Sequence, residues 1–360
     1  MNPSWIDTAI AHAVARVRGI ADEVTDFPHI TEAGQWKTTP DGVWTGGFWA
    51  GLLWLAQLSE PDETNLKAAL AYTERLLPRA HDQHNHDLGF MFYPSAIRAW
   101  QHTGNPRYRQ AALDAAQALA AQFNPRGQYI PGWGFFGAED WSGSTLVDTL
   151  MNLPLLVWAD GQQPDPRLRN VVEQHARTSL RYHLRENGSV YHVYRFDPDT
   201  GQQLGGATYQ GLEAESAWAR GQAWALTGLA ILSAMTGEPR FIEASRRIAH
   251  YFISKLPAHG IAPWDFAVTD PDAPRDASAS AIASYGLLKL HEQSRDASGL
   301  QQAASILKSL ACQCGNTTSK GGLLLHATAD LPHGLGIDES TMYGDYYYLK
   351  SLLKLRALSA

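Results

Sequence analysis

Cysteine is almost missing from this chain. Cys312 and Cys314 are the only two in 360 residues. Two positions apart, they make a poor local disulfide and no disulfide framework. They read as idle thiols of a reducing compartment. Long apolar runs are missing as well. The stretch 223–235 comes nearest, and Thr227, Gly228 and Ser233 interrupt it, so no membrane span is expected. The opening residues Met1-Asn2-Pro3-Ser4-Trp5 carry neither a basic leader nor an apolar core, so no signal peptide is expected. The expectation is a soluble, cytoplasmic protein without membrane contact. A basic excess is absent too: the formal net charge is -7, which argues against a nucleic-acid partner. No Ser/Gly linker, low-complexity tract or block of like charge divides residues 1–360. One domain is expected, long enough for a large core.

Aromatic residues are abundant, with 12 Trp and 14 Tyr. Many fall between the helical segments. That placement suits stacking on flat, partly polar ligands such as sugar rings, and equally suits the capping of a wide core.

Amphipathic periodicity predicts twelve helices, near 4–18, 46–58, 62–80, 94–103, 106–123, 143–160, 166–185, 215–236, 239–256, 276–295, 297–313 and 342–357. The turn Thr103-Gly104-Asn105-Pro106-Arg107-Tyr108 recurs as Thr236-Gly237-Glu238-Pro239-Arg240-Phe241. In both, Gly ends one helix and Pro fits the first turn of the next. The helices therefore pair into hairpins. The first helices of successive hairpins start at 46, 94, 143, 215, 276 and 342. That spacing is irregular and lengthens along the chain, whereas a solenoid wants a near-constant period. A closed ring with elaborated loops fits better. Segments 46–58 and 215–236 are apolar nearly all round and read as inner helices. Segments 166–185 and 239–256 carry Arg, Glu and His on one face and read as outer helices. Stretches such as 188–194 read as short strands, forming hairpins over the mouth of the ring.

Two carboxylates stand out. Asp148 lies in Ser144-Thr145-Leu146-Val147-Asp148-Thr149-Leu150-Met151-Asn152, on the first turns of an apolar inner helix, with Asn152 on the same face. Desolvation there is expected to raise its pKa, which suits a general acid at neutral pH. A structural Asp satisfied by backbone donors at a helix start is the other reading. Asp87 lies in His84-Asn85-His86-Asp87-Leu88-Gly89-Phe90, in the long link before the helix at 94. Paired acids from adjacent hairpins facing one axial pocket are the usual glycosidase arrangement. A turn or cap role for Asp87 and a solvated loop for His84 and His86 are the alternatives. A metal site would need further ligands, and no second His cluster at ligand spacing appears. No metal and no cofactor are expected. Arg220 and Trp224, four apart on an inner helix, face the same way. Together they suit a carboxylated sugar, or a cation–π pair within the protein. The segment 132–137 matches G-x-G-x-x-G without a βαβ context, and its bulky aromatics would obstruct a pyrophosphate.

With these residues in view, the chain resembles the unsaturated glucuronyl hydrolases, glycoside hydrolase family 88, from about Trp5 to Leu355. The pieces that carry the resemblance include Trp44-Thr45-Gly46-Gly47-Phe48-Trp49, His86-Asp87-Leu88-Gly89-Phe90, the stretch 148–156, Thr208-Tyr209-Gln210-Gly211, Trp218-Ala219-Arg220-Gly221-Gln222-Ala223-Trp224 and Gly344-Asp345-Tyr346-Tyr347-Tyr348-Leu349. The resemblance implies an all-α fold, an (α/α)6 barrel. It implies Asp148 as general acid/base and Asp87 as the second essential carboxylate. Trp44, Trp133, His192, Gln210, Arg220 and Trp224 match positions lining that family's substrate pocket. Gly46 stands where the family commonly has Asp or Asn, and the loop 323–340 matches poorly. The substrate implied is an unsaturated oligosaccharide, taken by a monomer or homodimer. An unsaturated rhamnogalacturonyl hydrolase and a non-catalytic sugar-binding barrel are the competing expectations.

Overall fold

Helix α2 (Gly46–Ser59) is buried over nearly its whole length. Its sequence offers no polar face, so it is stable only when enclosed by other helices. The same holds for α9 (Ala219–Thr236), α11 (Ala277–Ser294) and α13 (Met342–Ser359). These helices, with α5 (Ala96–Thr103) and α7 (Leu153–Gln162), form an inner ring. It runs from α7 to α9, α11 and α13, and closes where α13 packs on α2. Around it stand α1 (Ser4–Glu23), α3 (Glu63–Leu76), α6 (Pro106–Ala121), α8 (Pro166–Thr178), α10 (Pro239–Lys255) and α12 (Ala297–Gln313). The architecture is the expected (α/α)6 barrel. This computed structural model describes residues 4–132, 140–294, 297–318 and 320–359.

The turn chemistry explains the alternation. Gly104 and Gly237 end α5 and α9 in the left-handed region, at φ 69° and 72°. Asn105, Asp165 and Glu238 then accept the amides of Arg107, Arg167 and Arg240, and Pro opens α6, α8 and α10. Each cap satisfies one of the amides a helix start leaves unpaired.

Three differences from the predicted elements matter for the site. First, the helix expected at 143–160 starts later. Residues Ser144–Leu146 form β3, and Val147–Met151 form a 3-10 turn before α7. The β-branched Thr145 and Val147 favour extended backbone, and β3 is held by pairing with β4 (Val193–Phe196). β4 pairs in turn with β5 (Gln203–Ala207). Pro154, in the first turn of α7, is compatible with a helix that begins only there. Second, the link before α5 contains a one-turn helix, α4 (Leu88–Phe92). Third, β1 (Phe27–Glu32) and β2 (Gln35–Thr39) form an unpredicted hairpin. Its two linking residues, Ala33 and Gly34, both have positive φ, as a type I′ turn requires. Segment 166–185 also ends differently: after α8 the chain widens into a π-helical turn, Ser179–His183.

Candidate active site

The two carboxylates reach one pocket from different elements. Asp87 sits at the start of α4, and Asp148 on the 3-10 turn before α7. The apolar face of α4 packs on α2 and α7, and this brings the two chain segments together. His86 joins them: its Nε2 lies 3.3 Å from Asp87 Oδ1 and 3.5 Å from Asp148 Oδ1. The solvated-loop reading of His86 is therefore wrong. It is buried, whereas His84 is exposed. Asn152 does not accompany Asp148 along a helix face, as its spacing suggested. Its amide nitrogen donates to Asp87 Oδ1 at 3.2 Å, and its oxygen accepts the Phe90 amide at 2.7 Å.

Trp44, Gln210, Arg220 and Trp224 line the same pocket as the two carboxylates. Its empty volume, with the open solvent at its mouth included, is about 570 Å³. His192 is buried beside the lining. Its ring packs 4.3 Å from that of Trp218, and its Nδ1 accepts the amides of Tyr209 and Gln210. Trp133 and most of the 132–137 glycine motif lie outside the described residues. The walls are aromatic: Trp44 stacks on Tyr343 with centroids 5.1 Å apart, and Trp224 tilts against Phe90 at 4.9 Å.

Arg220 is placed differently from the sequence reading. It is fully buried and paired with Asp276 at 2.6 Å. The same nitrogen donates to the Thr328 carbonyl, and Nη2 donates to that of Ala329. Its guanidinium lies over Trp218 and Tyr343 rather than over Trp224. Both terminal nitrogens are thus committed before any ligand arrives. They tie the poorly matching loop to the barrel. Through that tie, and through Gln210 donating to the Ala329 carbonyl, Ala329, Asp330 and Leu335 become part of the pocket wall.

The electrostatics reverse one expectation. Burial pushes Asp87 up to about 7; His86 and Asn152 oppose the shift, and the charge of Asp148 adds to it. At Asp148 burial also raises the pKa, but His86, with smaller contributions from His192 and His183, outweighs it and holds the group below the usual carboxylate range. Neutral histidines complete the surroundings. Burial lowers His29 to about 4 and His192 to about 3. Both carboxylates meet the same His86 Nε2, so the three groups titrate as a coupled set, and burial favours holding a proton on Asp87. The apolar setting read for Asp148 is real; the histidine beside it was not legible as a partner.

Sequence reasoning missed His29, Trp218, Asp330 and Tyr343 as pocket residues. His29 had a findable signal in the two short runs flanking Ala33-Gly34. Trp218 and Tyr343 stand beside the motifs at 218–224 and 344–349. Asp330 had none, because a long loop carries it in. Among the described residues no three His, Cys, Asp or Glu side chains form a group that could hold a metal ion, and no helix is long and apolar enough to cross a membrane.

Two acids meeting at one histidine in an aromatic-walled pocket, at the mouth of a double ring of helices, form the kind of paired-carboxylate arrangement that glycosidases use. Comparison with known proteins agrees. The description Glycosyl Hydrolase Family 88 matches residues 17–354, and the chain belongs to that family. It is 35% identical over 342 residues to the unsaturated glucuronyl hydrolase of Bacillus sp. (strain GL1), covering 91% of this chain and 90% of that one. It is also 35% identical over 341 residues to an unsaturated chondroitin disaccharide hydrolase of Streptococcus pyogenes serotype M1, covering 91% and 85%. A solved unsaturated glucuronyl hydrolase specific for heparin superimposes with a TM-score of 0.93 at 32% identity, covering 99% of this chain and 98% of the other.

Proposed function

We propose that this glycosidase removes the terminal 4-deoxy-hex-4-enuronic acid from oligosaccharides left by polysaccharide lyases. The reaction is hydration of the C4=C5 vinyl ether. Asp148, protonated, donates to C4, and positive charge grows on C5 and the ring oxygen. The resulting carboxylate takes a proton from water as that water adds to C5, which restores the acid. The C5 hemiketal then opens to a ketone. The ring oxygen stays on C1 as a hydroxyl, and the hemiacetal formed there expels the leaving sugar. No glycosyl-enzyme bond is needed.

The observation that supports this reading best is the convergence of Asp87 and Asp148 on one histidine at the pocket wall, with His86 Nε2 3.3 Å and 3.5 Å from their oxygens. A carboxyl that must serve as acid and then as base needs an intermediate proton affinity. Asp87 stores the proton at rest. The substrate's own carboxylate adds negative charge beside the pair, which favours the protonated form, and His86 lies within reach of both oxygens to pass the proton to Asp148.

The test is loss of the enol-ether ultraviolet absorbance on a panel of unsaturated disaccharides from chondroitin, hyaluronan, heparin and rhamnogalacturonan. Turnover of uronyl substrates is expected. Turnover of the rhamnogalacturonan product alone would move the assignment to that hydrolase class, and binding without turnover would favour a sugar-binding barrel. The rate should also depend on pH. Because the raised group is a carboxyl at about 7, the acid is loaded below that pH and empties above it. The rate per bound substrate should therefore fall as pH rises through 7; a flat profile from 6 to 9 would remove the shared-proton argument.

Gly89 offers a structural check. A Cβ there would stand 2.4 Å from Asn152 Cα and 2.6 Å from its carbonyl oxygen. Neither backbone atom can swing aside as a side chain would. Gly89→Ala should displace Asn152 and, through it, Asp87. A misplacement of about 1 Å costs on the order of 10²-fold in rate. Steady-state kinetics on the best disaccharide would measure it, and wild-type activity would show that Asn152 does not position Asp87.

A further inference from the structure

The proposed reaction uses the pocket side of Asp148 and leaves its inner side unexplained. Asp148 Oδ1 is buried, and His86 Nε2, 3.5 Å away, reaches it only at the long limit of a hydrogen bond, which leaves room for a second donor. Other buried polar atoms nearby make no hydrogen bond among the described residues: Nε2 of His175 and of His183, and the hydroxyls of Thr149 and Ser179. Thr149 follows Asp148 on the 147–151 turn. Ser179 and His183 sit on the π-helical turn, which packs against the 147–151 turn. His175 and His183 both lie within electrostatic reach of Asp148. An unpaired buried polar group is costly, and folded proteins leave very few of them. A cluster on two touching turns therefore marks a site.

The backbone decides what each histidine offers. His175 Nδ1 accepts the Ile130 amide at 2.9 Å, so in the neutral ring the proton is on Nε2. His183 Nδ1 lies 2.9 Å from the Tyr191 carbonyl oxygen. A carbonyl only accepts, so Nδ1 carries the proton and Nε2 presents a lone pair. Burial keeps both rings neutral, pushing His175 down to about 3 and His183 to about 4. The cluster thus offers one donor, His175 Nε2–H, and two acceptors, His183 Nε2 and Asp148 Oδ1. A water molecule supplies the complement: it accepts once and donates twice. Three hydrogen bonds is the usual number for a buried water.

We propose that His175 and His183 hold a structural water against Asp148 Oδ1, and that His183 is thereby a positioning residue for the acid–base step. The π-helical turn supplies the geometry, a form often found at functional sites. By donating to Oδ1 the water fixes the orientation of the carboxyl. It also steadies the carboxylate that forms when C4 takes the proton. The other titratable and charged groups facing Asp148 are His86 and Asp87 from the start of α4 and His192 from the segment before β4. Arg220 faces His192 rather than Asp148. His183 differs from all of these in having no route to the substrate except through the water.

This inference rests on Asp148 being the acid, and the experiment separates the two. The rate at saturating substrate and KM are measured against pH for the wild type, His183→Phe and His183→Gln, with melting temperatures alongside. Losing a donor raises a carboxyl's pKa. For His183→Phe the alkaline limb should move up, because the pair that shares the proton holds it more tightly once Asp148 has lost a donor. On the acid side of the limb, where both proteins are fully loaded, the rate should fall about tenfold and KM should hold. His183→Gln keeps an acceptor and should return the limb toward its wild-type position. A His183→Phe profile that superimposes on the wild type after scaling would overturn the proposal, as would a His183→Gln limb no nearer to it. If His183→Phe does not fold, a high-resolution crystal structure of the wild type decides: density for a water bonded to Asp148 Oδ1 and both rings supports the proposal, and its absence overturns it. An active Asp148→Asn variant would instead sink the assignment of the acid.

Discussion

Asp148→Asn should lose nearly all turnover of unsaturated disaccharides while the protein stays folded. One carboxyl is asked to give a proton and then to take one, and each service is worth roughly 10²–10⁴-fold. A loss of at least about 10³-fold is expected. Asn has the same shape and removes a buried negative charge. Because that charge contributes to raising Asp87, its loss should lower the Asp87 pKa, and the melting temperature should hold or rise. Asp87→Asn is the informative partner. It removes the like charge beside Asp148 but keeps an oxygen for Asn152. Asp148 is then left with a low pKa, so neutral-pH activity should collapse and partly recover as pH falls. Continuous absorbance assays of both variants from pH 4 to 8 distinguish the roles. Recovery by Asp148→Asn at low pH, with Asp87→Asn dead throughout, would exchange the two assignments.

Arg220→Ala should be the most damaging change to the fold near the pocket. Arg220 and Asp276 form an ion pair with 1% and 0% of their side-chain surface exposed. Removing one member of such a pair leaves a buried charge uncompensated, at a cost of about 3–5 kcal/mol. The carbonyls of Thr328 and Ala329 lose their donor as well. Arg220→Lys should fail to rescue, since one ammonium cannot reach Asp276 and both carbonyls with a guanidinium's fixed geometry. Urea unfolding of Arg220→Ala, Asp276→Ala and the double variant measures this. The double variant should be less destabilised than the sum of the singles, as coupled sites require. Simple additivity, with each single variant costing under about 1 kcal/mol, would show that the pair holds nothing in place.

Much of this molecule was legible before any coordinates, for reasons that differ by element. The hairpins were readable because their stops are local: Gly104, Asn105 and Pro106 fall within three residues. The inner helices were readable because a segment without a polar face has only one place to go. The meeting of Asp87 and Asp148 followed from their place on adjacent hairpins of a ring. What stayed hidden depends on contacts distant in sequence. Nothing in Ser144–Val147 announces that Val193–Phe196 will pair beside it and delay the helix. His86 looked like a loop residue because burial of a loop is decided by what packs over it. Arg220 looked free because its partners, Asp276 and the 328–329 carbonyls, are brought in by another hairpin and a loop. The direction of the Asp148 shift failed for the same cause: apolar neighbours along the chain can be counted, but a histidine arriving from the preceding hairpin cannot.

The stacking of Trp44 on Tyr343 bears on how this protein comes into being. Helical hairpins are local and can form early, but the ring shuts only when its two flanks meet across nearly the whole chain, and such distant contacts come late. The catalytic throat is therefore the last thing to exist. Any half-wound intermediate is mute as a catalyst and presents a naked oily helix to its neighbours, so the hazard for this architecture during synthesis is clumping or exchange of arms between copies, never premature chemistry.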